Sequence, residues 1–109
     1  MAYTPTFAVD VPTREAVDAL PGPLLLEFGV DWCPHCLGAQ PLIEAAMQAC
    51  PNLPHLKIED GPGRRLGRSF RVKLWPTLVL LRDGQEVERL VRPTAEADIA
   101  AALSRLSGA

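Results

Sequence analysis

Leu24-Leu25-Leu26-Glu27-Phe28-Gly29-Val30, then Asp31, then Trp32-Cys33-Pro34-His35-Cys36: the step between these stretches decides the fold. The first has the length and near-continuous apolarity of a strand buried on both faces, with Glu27 as its one anomaly. Pro34 suits the first turn of a helix, where its missing N–H costs nothing. Leu37, Ala39, Ile43, Ala46, Met47 and Cys50 carry that helix onward, with a kink expected at Pro41. Two residues between Cys33 and Cys36 put the first sulfur at the helix N-terminus and the second one turn later, close enough to bridge. Unpaired N–H groups and the positive end of the helix dipole favour thiolate at Cys33, and the thiolate is the nucleophile of disulfide exchange. Cys36, deeper in the helix, is expected to attack second and resolve the mixed disulfide.

Working outward, residues 6–9 suit a short first strand, and Thr13 can cap a helix that runs to Leu20 before Pro21-Gly22-Pro23. After the turn at 51–54, His55-Leu56-Lys57-Ile58-Glu59 alternates as a strand, with Leu56 and Ile58 expected on its more buried face. Gly61-Pro62-Gly63 breaks the chain, and residues 64–70 read as a short helix. Residues 77–81 and 86–91 flank Asp83-Gly84 as a hairpin. Thr94 is expected to cap a last helix whose Ile99, Leu103 and Leu106 form one apolar stripe. The fold class is α/β, a central mixed sheet flanked by helices on both faces, in the order βαβαβαββα.

At 109 residues the chain holds one core, so residues 1–109 form one domain. Hydrophobic residues at 48%, charged ones at 22%, eight Gly and eleven Pro describe an ordinary globule rather than a disordered chain. A net charge of −2 removes the broad basic field on which nonspecific nucleic-acid or anionic-membrane binding depends. The aliphatic runs, Leu24-Leu25-Leu26 and residues 78–81, fall far short of the ~18 residues of a membrane span. The first residues hold no basic segment leading into an apolar stretch, so a cytoplasmic location is expected. Three cysteines are too few for a disulfide-stapled fold and leave one thiol unpaired.

With these residues in view, the chain resembles the thioredoxin family. The likeness rests on the buried strand, Trp32 to Cys36, Pro41, Trp75-Pro76-Thr77, Asp83-Gly84 and the capped final helix. It implies a protein-disulfide oxidoreductase, most simply a reductase. The redox-active Cys33–Cys36 disulfide would be its only redox group, with no other cofactor and no metal. Protein disulfides would be its substrates, a thioredoxin-reductase-like enzyme or glutathione its source of electrons, and a monomer its state. The resemblance also implies a cis peptide between Trp75 and Pro76, beside the disulfide, with the Trp75 backbone pairing to an extended substrate. Trp32, Pro34, Trp75, Pro76 and Arg92 are the implied substrate-binding residues. Trp75 stands where the family has a smaller aliphatic residue, and Arg92 where it has a glycine, so both narrow the groove.

Glu27 stands where the family has a buried Asp behind the second cysteine, a group that takes the Cys36 proton directly or through water. Its other reading is a strand glutamate reaching solvent. With no evident partner the carboxyl should reduce stability, so Glu27→Leu is expected to stabilise the fold. His55 falls near the family's lysine that faces this acid, and it also reads as an exposed residue starting a strand. His35 makes the motif Cys-Pro-His-Cys, similar to periplasmic disulfide-forming oxidants, and its imidazole beside Cys33 is expected to stabilise the thiolate. Those oxidants carry a helical insertion for which this chain has no room, so motif and fold point in opposite directions. Oxidant or isomerase is therefore the alternative. A structural zinc module on Cys33, Cys36, Cys50 and His55 is the other, opposed by the ~21 Å of helix between Cys36 and Cys50. Arg64, Arg65, Arg68, Arg71 and Lys73 read as a solvated helix face, with steering of acidic partners as the second reading.

Overall fold

The computed structural model describes residues 3–107. Their elements are α1 (Arg14–Asp18), β1 (Pro23–Gly29), α2 (Pro34–Met47), β2 (His55–Glu59), α3 (Arg65–Ser69), β3 (Thr77–Arg82), β4 (Gln85–Val91) and α4 (Glu96–Ser107). The strands form one mixed sheet in the order β2-β1-β3-β4. β1 is parallel to β2 and antiparallel to β3, and β3 and β4 are antiparallel. No helix of the described residues is long and apolar enough to cross a membrane.

Strand parity sorts the core into two layers. Leu25 on β1 and Leu78 and Leu80 on β3 pack against Ala39, Ile43 and Met47 of α2 and the Ile99-Leu103-Leu106 stripe of α4. Leu24, Leu26 and Phe28, with Ile58, Val79 and Leu81, cover the opposite face against Val17 of α1 and against Leu66 and Phe70 at α3. Helices therefore flank both faces, as the sequence indicates. Because Leu25 faces α2, Glu27 and Gly29 do so too, and this parity positions the site.

Several boundaries differ from expectation. Residues 6–9 form no strand, so the order lacks its first β. The segment gives the free edge of β2 one ladder-like bond, Ala8 N–H to the Lys57 carbonyl at 2.8 Å. Pro5 and Pro12 on either side can donate nothing to a longer ladder. Thr13 caps α1 as expected, its Oγ1 accepting from the Ala16 N–H at 3.1 Å, but the helix ends at Asp18 and Leu20 is exposed. Pro41 lies inside α2, which stops at Met47, leaving Cys50 beyond the helix and half-buried. α4 starts at Glu96, two residues after Thr94. In β2 Ile58 is buried as expected, but His55 and Lys57 on the other face are buried too and Leu56 only half so.

The β3–β4 turn is held from outside the hairpin. Asp83 and Gly84 both have left-handed backbone, φ 53° and 77°, as a two-residue turn of this hand requires. Asp83 accepts from the Gly22 N–H at 2.7 Å through Oδ1, and its own N–H donates to the Gly22 carbonyl at 2.9 Å. A Cβ at Gly84 would collide with the Asp18 carbonyl. Gly84→Ala is thus expected to lower stability by about 2 kcal/mol, from the left-handed backbone and the displaced end of α1 together, read as a shift of the denaturant midpoint.

Candidate active site

Cys33 is the N-cap of α2, with extended backbone (φ −83°, ψ 122°), and Pro34 opens the helix behind it. Its sulfur lies among helix-terminal N–H groups that have no intrahelical partner. Burial works against a thiolate there. The peptide N–H groups of Cys36 and His35, the Cys36 thiol and the nearby Arg92 guanidinium outweigh it and hold Cys33 below the ordinary thiol range. Cys36 moves the opposite way, to about 11. Burial is the main cause, and the charges of Cys33 and Glu27 add to it against a hydrogen bond from the Val30 backbone. Both thiols are free and buried, packed with Val30 and Trp75. Gly29 makes this possible, because a Cβ on it would lie 2.7 Å from Cys36 Sγ.

The contribution of His35 differs from expectation. The residue is exposed, and the group that helps lower Cys33 is its peptide N–H. Pro34 is exposed at the helix start, and Trp32, 70% exposed, meets Trp75 edge-on with centroids 5.8 Å apart. The Trp75–Pro76 peptide is cis. Arg92, in left-handed backbone at φ 51°, donates from its own N–H to the Pro76 carbonyl and from Nε to the Trp75 carbonyl, both at 2.9 Å. The Trp75 carbonyl therefore already accepts one hydrogen bond within the chain. On the other side of the Trp75 ring, Nε1 donates to Asp60 Oδ2 at 2.8 Å.

Behind Cys36 lies a polar cluster of which sequence reading identified only part. Glu27 is 1% exposed, which removes its solvent-facing reading. Its Oε1 lies 2.9 Å from His55 Nε2, and its Oε2 accepts from Gln40 Nε2 at 2.7 Å. The Thr4 N–H donates to His55 Nδ1 at 2.9 Å, so Nε2 carries the hydrogen that Glu27 accepts. His55 thus faces the acid, one of the two readings open to it. Lys57, the register partner of Glu27 across β1–β2, occupies the place sought for a lysine. Its Nζ bonds Gln40 Oε1 at 3.0 Å and the Pro5 carbonyl at 3.1 Å, and Tyr3 Oη donates to the same Gln40 oxygen at 2.7 Å. Gln40 Nε2 also reaches the Cys36 carbonyl at 2.9 Å, which ties the cluster to the cysteine. Gln40 stands four residues after Cys36 on one helix face, and Lys57 two after His55, so both were within reach of periodicity. Nothing in the sequence pointed to Tyr3, Thr4 or Asp60.

The zinc arrangement does not form. Cys50 Sγ contacts Ser107 Oγ at 3.4 Å, away from the pair, and among the described residues no three His, Cys, Asp or Glu side chains gather for a metal.

Residues 9–105 match the family model for thioredoxin. The chain belongs to the thioredoxin family. It is 36% identical over 70 residues to the thioredoxin of Chlamydia trachomatis, covering 64% of this chain and 69% of that one. With the Mycobacterium bovis thioredoxin it shares 32% identity over 83 residues, 75% of this chain and 72% of the relative. Among solved structures, thioredoxin 2 from Pseudomonas aeruginosa in its reduced form superposes with a TM-score of 0.86 at 53% identity, over 96% of this chain and 98% of that one. The family's reaction is thiol–disulfide exchange, so this thioredoxin is a thiol–disulfide oxidoreductase, and neither the oxidant nor the zinc alternative is favoured.

The geometry of the site sets the outcome of four substitutions. Arg92→Gly, which leaves a residue suited to φ 51°, removes a nearby cation and should raise the Cys33 pKa. His35→Pro removes the peptide donor and should raise it too, whereas His35→Ala keeps that donor and should titrate like the parent; thiolate absorbance against pH reads all three. Glu27→Leu, expected from sequence to stabilise, should now destabilise by about 3 kcal/mol in denaturant melts, because it strips a buried His55 N–H of its acceptor.

Proposed function

We propose that this thioredoxin works as a reductase of protein disulfides, a monomer in the cytoplasm, where thiols are kept reduced. The observation that carries the reading is the placement of Cys33 at the N-cap of α2 with Cys36 buried beneath it, which lowers Cys33, raises Cys36 to about 11 and so separates nucleophile from resolver. The Cys33 thiolate attacks one sulfur of a substrate disulfide, forming a mixed disulfide and releasing the other substrate sulfur as thiolate, which takes up a proton. Cys36 then loses its proton and attacks Cys33 Sγ. The second substrate thiol leaves, and the chain is left with a Cys33–Cys36 disulfide, two electrons having passed to the substrate. A thioredoxin-reductase-like enzyme or glutathione returns them.

Glu27 is the base for the second step in this reading. Both its oxygens already hold a partner, so the proton travels through water, for which a cavity of about 370 Å³ lined by Cys36, Gln40 and Lys57 has space as far as Gln40, the hydrogen-bond partner that covers Glu27. Trp32, Pro34, Trp75, Pro76 and Arg92 form the surface over which the substrate lies.

Insulin reduction with dithiothreitol as electron source tests the assignment. Cys33→Ser should abolish turnover, while Cys36→Ser should accumulate a mixed disulfide through Cys33 that mass spectrometry detects. Parent-like turnover by Cys33→Ser would remove it as the nucleophile.

A further inference from the structure

Five of the eleven Lys and Arg residues lie between positions 64 and 73, and residues 61–75 hold no acid at all. A merely solvated face would mix both signs. α3 and its two caps bury Leu66 and Phe70 and leave Arg64 and Arg68 outside. Arg71 then takes left-handed backbone at φ 57°, turning the chain so that Arg71 and Lys73 line the same groove as Arg64 and Arg68. The groove measures about 450 Å³. Asp60 is the one carboxylate in its lining, and its Oδ2 is held by the Trp75 ring N–H. Arg64 pairs with Glu59 at 3.1 Å, whereas Arg68, Arg71 and Lys73 make no ion pair among the described residues.

Trp75 joins this groove to the chemistry. One side of the residue packs on the cluster containing Cys33 and Cys36, and the groove begins at the other. A polypeptide with a sulfur on Cys33 and its backbone over Trp75 therefore extends into four cations, on a chain whose net charge is −2. We propose that this groove docks an acidic stretch of the substrate polypeptide, flanking the disulfide under attack. The inference rests on the reductase reading above and names the substrate class for the same site. Exposed charges act mainly on encounter rate and are screened by salt, so the preference should be large at low ionic strength and fade as salt rises.

The test uses two peptides with the same disulfide loop, one flanked by four Glu and the other by four Gln, reduced with dithiothreitol as electron source. The parent should favour the Glu peptide about tenfold in kcat/KM at low salt, falling to about twofold or less in concentrated salt. Arg68→Gln with Lys73→Gln, both exposed positions, should bring the ratio near one, and Arg68→Glu with Lys73→Glu should invert it. Equal rates in the parent at low salt, or a preference that survives both variants, would overturn the docking proposal while leaving the reductase reading intact. Failure of the parent to reduce either peptide would overturn the reading beneath it.

Discussion

A sulfur atom occupies the space that a methyl group would fill on β1, and the site depends on this. Gly29 ends the strand on the face turned toward α2, and Cys36 Sγ sits 2.7 Å from where its Cβ would be. That close approach lets the helix begin against the end of the strand, with Cys33 at its N-cap and Cys36 beneath it. The helix terminus then acts on one sulfur and burial on the other. Two chemically identical side chains three residues apart are thereby driven in opposite directions, as a nucleophile and a resolver require.

The same parity that turns Gly29 toward Cys36 turns Glu27 toward the helix and, through the parallel register, His55 and Lys57 with it. A polar patch inside an apolar sheet is tolerable only when its groups find partners. Here Gln40 bridges helix and sheet, and the segment at residues 3–5 closes the cluster from outside with Tyr3 Oη, the Thr4 N–H and the Pro5 carbonyl. A segment without regular secondary structure thus completes the shell around the partners of the acid.

Arg92 links the Trp75–Pro76 turn to the charge around Cys33. Its backbone adopts the left-handed conformation that a glycine takes readily, and its side chain spends Nε on the Trp75 carbonyl. The guanidinium also places positive charge near Cys33. Together with the basic groove beyond Trp75 it makes this side of the site positive.

The sequence by itself determined the four strands that form, the step from β1 into α2, the hairpin at Asp83-Gly84 and the identity of the two cysteines. Each is written in local periodicity or turn chemistry, which needs no knowledge of distant neighbours. Residues 6–9 failed as a strand because their pattern carries no information about the pairing a strand needs. Glu27 was recognised as anomalous and His55 as one candidate to face it, but Gln40, and Tyr3 and Thr4 behind Gln40 and His55, were not, since they are distant from Glu27 in the chain and reach it only through the docking of α2 and of the segment at residues 3–5. Only the tertiary structure could decide whether that carboxylate stood alone or was satisfied, and with it the sign of its contribution to stability, because burial penalises a charge according to the partners it finds and not according to its place in the sequence.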